Sequence, residues 1–176
     1  MGGMAVEGEG IAGVAQRAAA GDVAAFTLLV ERFGGEMVRV AYGVCGDIGL
    51  AEDAAQAAWS IAWRKLDRLR DPAQVRGWLL ATAANEARQQ IRTAVRRRRA
   101  EVKAEPMSLP TAPDDRALAL ALLEQLDERD RMLVVLRHLA GLTSPEIATA
   151  LGMKADAVRV RLHRAIKRLR EGLTDA

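Results

Sequence analysis

Three prolines within eight residues divide this chain into two segments, each with the spacing of amphipathic helices. Pro106, Pro110 and Pro113 stand in a stretch without apolar periodicity, and proline removes a backbone donor and blocks the continuation of a helix. On both sides of this stretch apolar residues recur every three or four positions, whereas runs of β-branched residues are scarce. We therefore expect an all-α protein of two small helical domains joined by a flexible, proline-containing linker.

The predicted boundaries are a flexible N-terminal tail over residues 1–17, a first domain over 18–103, the linker over 104–116 and a second domain over 117–176. The three tryptophans, two phenylalanines and one tyrosine all lie at or before Trp78. The two domains must therefore have cores of different composition. A chain of 176 residues has room for two domains of this size.

The positive charge is concentrated in two blocks. The net charge is only +3, but residues 88–103 contain seven basic residues and one acidic residue, and residues 154–170 contain the same numbers. Either block alone could be an ordinary solvated helix face. Together they predict two contacts with a polyanion, most simply nucleic acid.

The second block belongs to a predicted helix-turn-helix. Thr143 and Glu146 have the spacing of a capping box, Gly152 suits the left-handed end of a short helix, and a second helix is expected from about Ala155. A plain helical hairpin with a charged exterior is the alternative. In a helix-turn-helix the second helix can enter the major groove of DNA. The residues expected to contact DNA there are Lys154, Arg159, Arg161, His163, Arg164 and Lys167.

Other classes of protein receive little support from the sequence. The single cysteine, Cys45, excludes an internal disulfide, and neither a signal peptide nor a long apolar run is visible, so we expect a cytoplasmic protein without membrane insertion. His138 and His163 lack companions at metal-ligand spacing, so no metal site is expected. We find no phosphate-cradling glycine loop and no catalytic triad pattern, and therefore expect no cofactor, no small-molecule substrate and no enzymatic activity.

The second half, from Leu123 to Thr143 and again from Val158 to Ala165, resembles region 4 of the extracytoplasmic-function (ECF) sigma factors. In that family this domain binds the −35 promoter element and the flap of the RNA polymerase β subunit. Residues 51–56, and residues 76–79 with Ala84 and Asn85, resemble region 2 of the same family. The resemblance covers most of residues 18–172, in the order that the family shows.

The resemblance implies roles for particular residues of the first half. Glu52, Asp53 and Gln56 would contact the β′ clamp of core RNA polymerase, because they match the helix that docks there. The residues that would hold the −10 promoter element are Asn85, Arg88, Gln89, Arg92 and Arg96. Members of this family are commonly bound by an anti-sigma factor, so the resemblance also implies an anti-sigma factor as a candidate partner.

The expected function is thus that of an RNA polymerase sigma factor, which reads a promoter and opens it. A two-domain DNA-binding regulator that never joins polymerase is the alternative.

Two departures from the family pattern stand out. Asp127 occupies a position where proline is common, although its side chain could cap a helix, and the small residues Ala54, Ala55 and Ala58 occur in the clamp motif where larger ones are usual.

Overall fold

The computed structural model describes residues 10–100 and 115–174, and every regular element among them is a helix. The helices are α1 (Ile11–Ala19), α2 (Val23–Cys45), α3 (Ile48–Lys65), α4 (Val75–Ala100), α5 (Asp115–Glu124), α6 (Glu128–Val134), α7 (Ser144–Leu151) and α8 (Ala155–Thr174). Two short 3₁₀ turns, Leu66–Arg68 and Pro72–Gln74, connect α3 to α4, and a π-helix, Val135–Leu139, continues α6. The predicted all-α fold is confirmed.

The first half is a bundle in which α2, α3 and α4 pack against one another. Its helices begin at aspartates: the side chain of Asp22 accepts from the amide of Ala25, and that of Asp47 from the amide of Leu50. Because both carboxylates satisfy amides that have no partner inside the helix, they fix where α2 and α3 start. The core contains Leu29, Met37 and Leu79, which are fully buried.

Helix α3 packs on this bundle through small side chains. The buried positions are Ala51, Ala54, Ala55, Ala58 and Ala62. Alanine at all of them allows the α3 backbone to approach α2 and α4 closely. The alanines of the clamp motif therefore face the core and not solvent, so they determine helix packing.

The first helix corrects the predicted N-terminal boundary. The sequence placed residues 1–17 in a flexible tail, but residues 11–17 belong to α1, which packs on α2. Val14, Ala15 and Ala18 are buried in this contact, and the short apolar pattern that they form was overlooked. Residues 1–9 lie outside the described residues.

The second half consists of α5 to α8. Asp127 accepts from the amides of Arg129 and Asp130, so it caps α6 as the sequence predicted. Helices α6 and α7 pack against α8, and Leu133, Ile147 and Val158 are fully buried between them. Most of the predicted linker, residues 104–114, lies outside the described residues, and α5 begins at Asp115.

The two halves are in contact, which the sequence did not predict. Gly43 of α2 faces Val135 and Leu139 of the π-helix. Leu142 lies beside Gly77 of α4. Arg76 Nη2 donates to the backbone oxygen of Ala140 at 2.7 Å, so a cation of the first half covers a carbonyl at the end of the π-helix. The buried residues of both halves form one continuous apolar cluster. None of the helices in the described ranges is long and apolar enough to cross a membrane.

Candidate polymerase and nucleic-acid interfaces

The polar face of α3 is exposed as the sequence predicted. Glu52, Asp53 and Gln56 all point to solvent, on the side of α3 opposite to its buried alanines. This face is therefore available to a partner without disturbing the bundle.

Three tryptophans flank these helices. Phe26 of α2 makes edge-to-face contacts with Trp59, at a centroid distance of 5.6 Å, and with Trp63, at 5.0 Å. Trp59 and Trp78 are partly buried against the core, whereas 49% of Trp63 is exposed. Trp59 and Trp78 therefore contribute to core packing, whereas Trp63 presents an aromatic surface to solvent.

The basic stripe predicted on α4 lies along one side of the helix. Its members are Arg88, Arg92 and Arg96, and Asn85 and Gln89 lie on the same helix. Asn85 and Arg88 are half-buried, whereas the other three residues are exposed. Burial is the main cause that lowers the pKa of the Arg88 guanidinium, followed by the positive charge of Arg92. The Nε of Arg88 has no hydrogen-bond acceptor among the described residues. An anion placed beside the stripe would relieve the repulsion between Arg88 and Arg92.

The middle of the stripe faces the second half of the protein. Arg92 Nε donates to Glu128 Oε2 of α6 at 3.1 Å, and a cavity of about 560 Å³ lies between Arg88, Arg92 and the first turn of α6. Glu128 thus occupies a position on Arg92 that a phosphate could take. Arg96 lies one turn further along α4 and is exposed.

The helix-turn-helix has the local structure that the sequence predicted. Thr143 Oγ1 accepts from the amide of Glu146, and the Glu146 carboxylate accepts from the amide of Thr143 at 2.7 Å, which completes the capping box. Gly152 ends α7 with φ of 64°, in the left-handed region that glycine adopts without strain. Ile147 is buried against α8, so α7 holds the following helix in place.

The residues predicted to contact the −35 DNA, which lie on α8 or directly before it, fall into two groups. Lys154, Arg159, His163, Arg164 and Lys167 are exposed. Arg159 forms an ion pair with Asp156 one turn away, and both side chains are largely in solvent. Arg161 differs from all of these, because it is partly buried and its Nε donates to the buried carboxylate of Asp130 at 2.7 Å.

The fold adds three residues to this surface that sequence reasoning missed. Arg137 and His138 of the π-helix and Ser144 at the start of α7 line a cleft of about 370 Å³ together with Arg159, His163 and Lys167. The concentration of cations around one concave surface suits phosphate oxygens. The signal in the sequence was the pair Arg137-His138 directly before the turn at Gly141, but only the folded structure shows that they line the same cleft as residues of α8.

A second concavity is apolar. It encloses about 670 Å³ between α2, α5 and the π-helix, and its wall includes Tyr42, Leu123, Val135 and Leu139. Leu139 is 55% exposed and forms part of this apolar wall. The groove therefore offers an apolar contact surface at the junction of the two halves. Across the described ranges no group of His, Cys, Asp and Glu is arranged to hold a metal ion.

Comparison with known proteins agrees with this division. The family model for sigma-70 region 2 matches residues 29–97, and that for sigma-70 region 4 matches residues 116–169. The RNA polymerase sigma-E factor of Streptomyces coelicolor is 32% identical over 161 residues, which cover 87% of this chain and 88% of that protein. The two basic helices thus fall one in each of the matched regions.

Two further proteins extend the comparison. A probable ECF RNA polymerase sigma factor of Mycobacterium tuberculosis, SigI, is 32% identical over 149 residues, and the match spans 77% of this chain but only 51% of SigI. The structure of CnrH in complex with the cytosolic domain of CnrY superimposes with a TM-score of 0.72 and 28% identity, over 94% of this chain and 97% of that chain. The fold, the order of the two regions and the sequence similarity agree, and this chain belongs to the ECF RNA polymerase sigma factors of the sigma-70 family.

Proposed function

We propose that this chain is a transcription initiation factor that joins core RNA polymerase, binds the −10 and −35 elements of a promoter and promotes opening of the DNA. The observation that carries the proposal is the presence of two basic helices, α4 and α8, one in each sigma region. A regulator with one helix-turn-helix needs only α8. The second basic helix and the exposed polar face of α3 favour a factor that also joins polymerase.

The face of α3 formed by Glu52, Asp53 and Gln56 is the proposed contact with the β′ clamp. Its support is exposure: the three side chains reach solvent from a helix whose opposite face is fixed in the core. Binding by such a face requires no rearrangement of the bundle, so little ordering free energy is lost on association. The apolar groove beside Leu139 is the proposed contact with the β flap, because it combines a concave apolar wall with exposed leucine.

DNA would contact the two basic helices in different ways. Along α4, the arginines Arg88, Arg92 and Arg96 would hold the backbone of the −10 element, while Asn85 and Gln89 offer amide hydrogen bonds to an unstacked base. On α8, the exposed set Lys154, Arg159, His163, Arg164 and Lys167 would contact the −35 element. Arg137, His138 and Ser144 would add phosphate contacts from the neighbouring cleft.

An anti-sigma factor is the proposed regulatory partner. CnrH, which has the same fold over nearly its whole length, was solved with the cytosolic domain of CnrY bound to it. The groove between α2, α5 and the π-helix, with Arg39 and His138 beside its apolar wall, is the surface on which we place such a partner. A protein bound there would compete with the β flap for the same residues.

Transcription in vitro tests the proposal. Core polymerase with this chain should initiate from a small set of fragments of the native genome, and permanganate reactivity should show that the −10 region of those fragments is opened. Core polymerase alone is the control. Footprinting the chain without polymerase separates the two functions, because strong and specific protection of duplex DNA by the chain alone would support the regulator instead.

A further inference from the structure

Among the residues whose exposure the structure describes, one charged side chain is buried. It packs against α8, the second helix of the helix-turn-helix. The side chain of Asp130, in the first turn of α6, is 5% exposed. Its Oδ1 accepts from Arg161 Nε at 2.7 Å, and its Oδ2 accepts from Arg168 Nη1 at 3.3 Å. Both oxygens of one buried carboxylate are thus occupied by arginines of α8.

The position of this carboxylate is fixed by the start of α6. Asp127 caps the helix and accepts from the amide of Asp130 at 2.9 Å, and it also lies 3.6 Å from Arg161 Nη2. Arg161 and Arg168 are seven residues apart, which is close to two turns of a helix, so both project from the same side of α8. A single acid on α6 can therefore bind both arginines. Through these two contacts it fixes the rotation of α8 about its axis.

We propose that Asp130 is a positioning residue that withdraws Arg161 and Arg168 from DNA. The proposal rests on the function proposed above, in which α8 is the DNA-binding helix. A buried carboxylate that loses one of two cationic partners is left with less compensation for its charge, and this makes the separation of either arginine from Asp130 unfavourable. Arg164 and Lys167 lie on the exposed side of the same helix and have no part in the pairing with Asp130.

The consequence is a specific salt dependence. Each phosphate neutralised by a cation of the protein steepens the dependence of log K on log salt by about 0.9 for duplex DNA. Two arginines held by Asp130 do not contribute to this slope. Releasing both arginines would steepen the slope of log K against log salt by about 1.8, whereas loss of structure in α8 would make the slope shallower.

The experiment uses the full chain and a fluorescein-labelled duplex of arbitrary sequence, with anisotropy recorded over a series of KCl concentrations. Asp130→Asn should steepen the slope by one to two phosphate equivalents, each about 0.9. Glu31→Gln, on the exposed surface of α2, produces the same change in net charge and should leave the slope unchanged. Adding Arg161→Ala and Arg168→Ala to Asp130→Asn should restore the slope of the unmodified protein.

A second pair of variants keeps the test decisive if Asp130→Asn does not fold. Arg168→Ala should leave the slope unchanged, and Lys167→Ala should make it shallower by about 0.9. An equal loss of slope in these two variants would overturn the proposal, as would a folded Asp130→Asn protein with an unchanged slope. A slope near zero in the unmodified protein would instead count against DNA binding itself, so failure of this inference can be told from failure of the proposed function.

Discussion

Two glycines of α2 form a matched pair that tests whether the halves pack as the structure places them. A Cβ added at Gly43 would lie 3.1 Å from Val135 Cγ1 and 3.2 Å from Leu139 Cδ2, both in the π-helix of the second half. These distances are shorter than the separation of about 3.5–4.0 Å at which carbon atoms pack best. A Cβ added at Gly34, nine residues earlier in the same helix, would meet nothing within 4 Å.

The expected free energies follow from these contacts. Replacing glycine by alanine inside a helix stabilises it by about 0.5–1 kcal/mol, because the unfolded chain has less freedom to lose. Gly34→Ala should show that gain without opposition. At Gly43 the gain is opposed by overpacking, which typically costs about 1–3 kcal/mol. Val135 is buried and has a β-branched, stiff side chain, so we expect Gly43→Ala to lower the free energy of unfolding by about 1 kcal/mol.

Urea unfolding followed by circular dichroism measures both changes. Cys45 supplies a local reporter, since it lies two residues beyond Gly43, burial raises the pKa of its thiol, and Arg131 of the second half is close enough to influence it. Gly43→Ala should increase the rate at which a thiol reagent modifies Cys45 in the folded protein, and Gly34→Ala should not. Equal stabilisation of the two variants, with equal thiol reactivity, would refute the packing of α2 against the π-helix.

Three further predictions concern other parts of the fold. The double variant Asp53→Ala with Gln56→Ala should weaken binding to core polymerase on native gels and change stability by only about 0.5 kcal/mol, as at other exposed positions; a large fall in melting temperature would assign both residues to the structure. Hydrogen bonds from the hydroxyl and the amide of Thr143 lower the pKa of the Glu146 carboxyl. These hydrogen bonds therefore stabilise the fold at pH values above the ordinary pKa of glutamate, and the stabilisation is lost as the pH falls through the lowered pKa of the folded state. Thr143→Ala should therefore cost about 1 kcal/mol at neutral pH and less in acid, and a pH-independent loss would contradict this reasoning. Leu133→Ala should cost about 2–5 kcal/mol because the site is fully buried, and a smaller loss in urea unfolding would mean that the core closes around the cavity.

Local signals in the sequence predicted the starts of two helices. Asp127 caps α6, and the Thr143–Glu146 capping box begins α7. In each case the group that satisfies the helix amides lies within three residues of them, so the information is contained in a short stretch of chain. Gly152 belongs to the same class, because its role depends only on its own backbone angle.

Contacts between distant residues could not be predicted in this way. The sequence predicted that Arg161 contacts DNA, whereas its guanidinium is held by Asp130, 31 residues earlier in the chain, and is proposed above to be withdrawn from DNA. The sequence shows an arginine on a basic helix and does not show which side of that helix α6 covers. The contact of Arg92 with Glu128 was missed for the same reason, since residues 36 apart meet only after both halves have packed.

The acids that already hold these arginines determine which cations a phosphate can recruit. Arg92 pairs with Glu128, whose side chain is 32% exposed, and Arg159 pairs with an Asp156 that is almost wholly in solvent. Exposed pairs of this kind contribute only about 0–1 kcal/mol, so an approaching phosphate can displace the acid, which water then solvates. Arg161 is the nearer and less exposed partner of the buried Asp130, and breaking a buried pair of this kind costs about 3–5 kcal/mol because water does not reach the carboxylate. A hydrogen bond between an arginine and a phosphate contributes about 1.5–3 kcal/mol. This is enough to offset the loss of an exposed ion pair such as Arg92 with Glu128, but not the loss of the buried pair of Arg161 with Asp130. The burial of the acidic partner therefore matters more than the position of a cation along α8 in deciding whether it binds DNA.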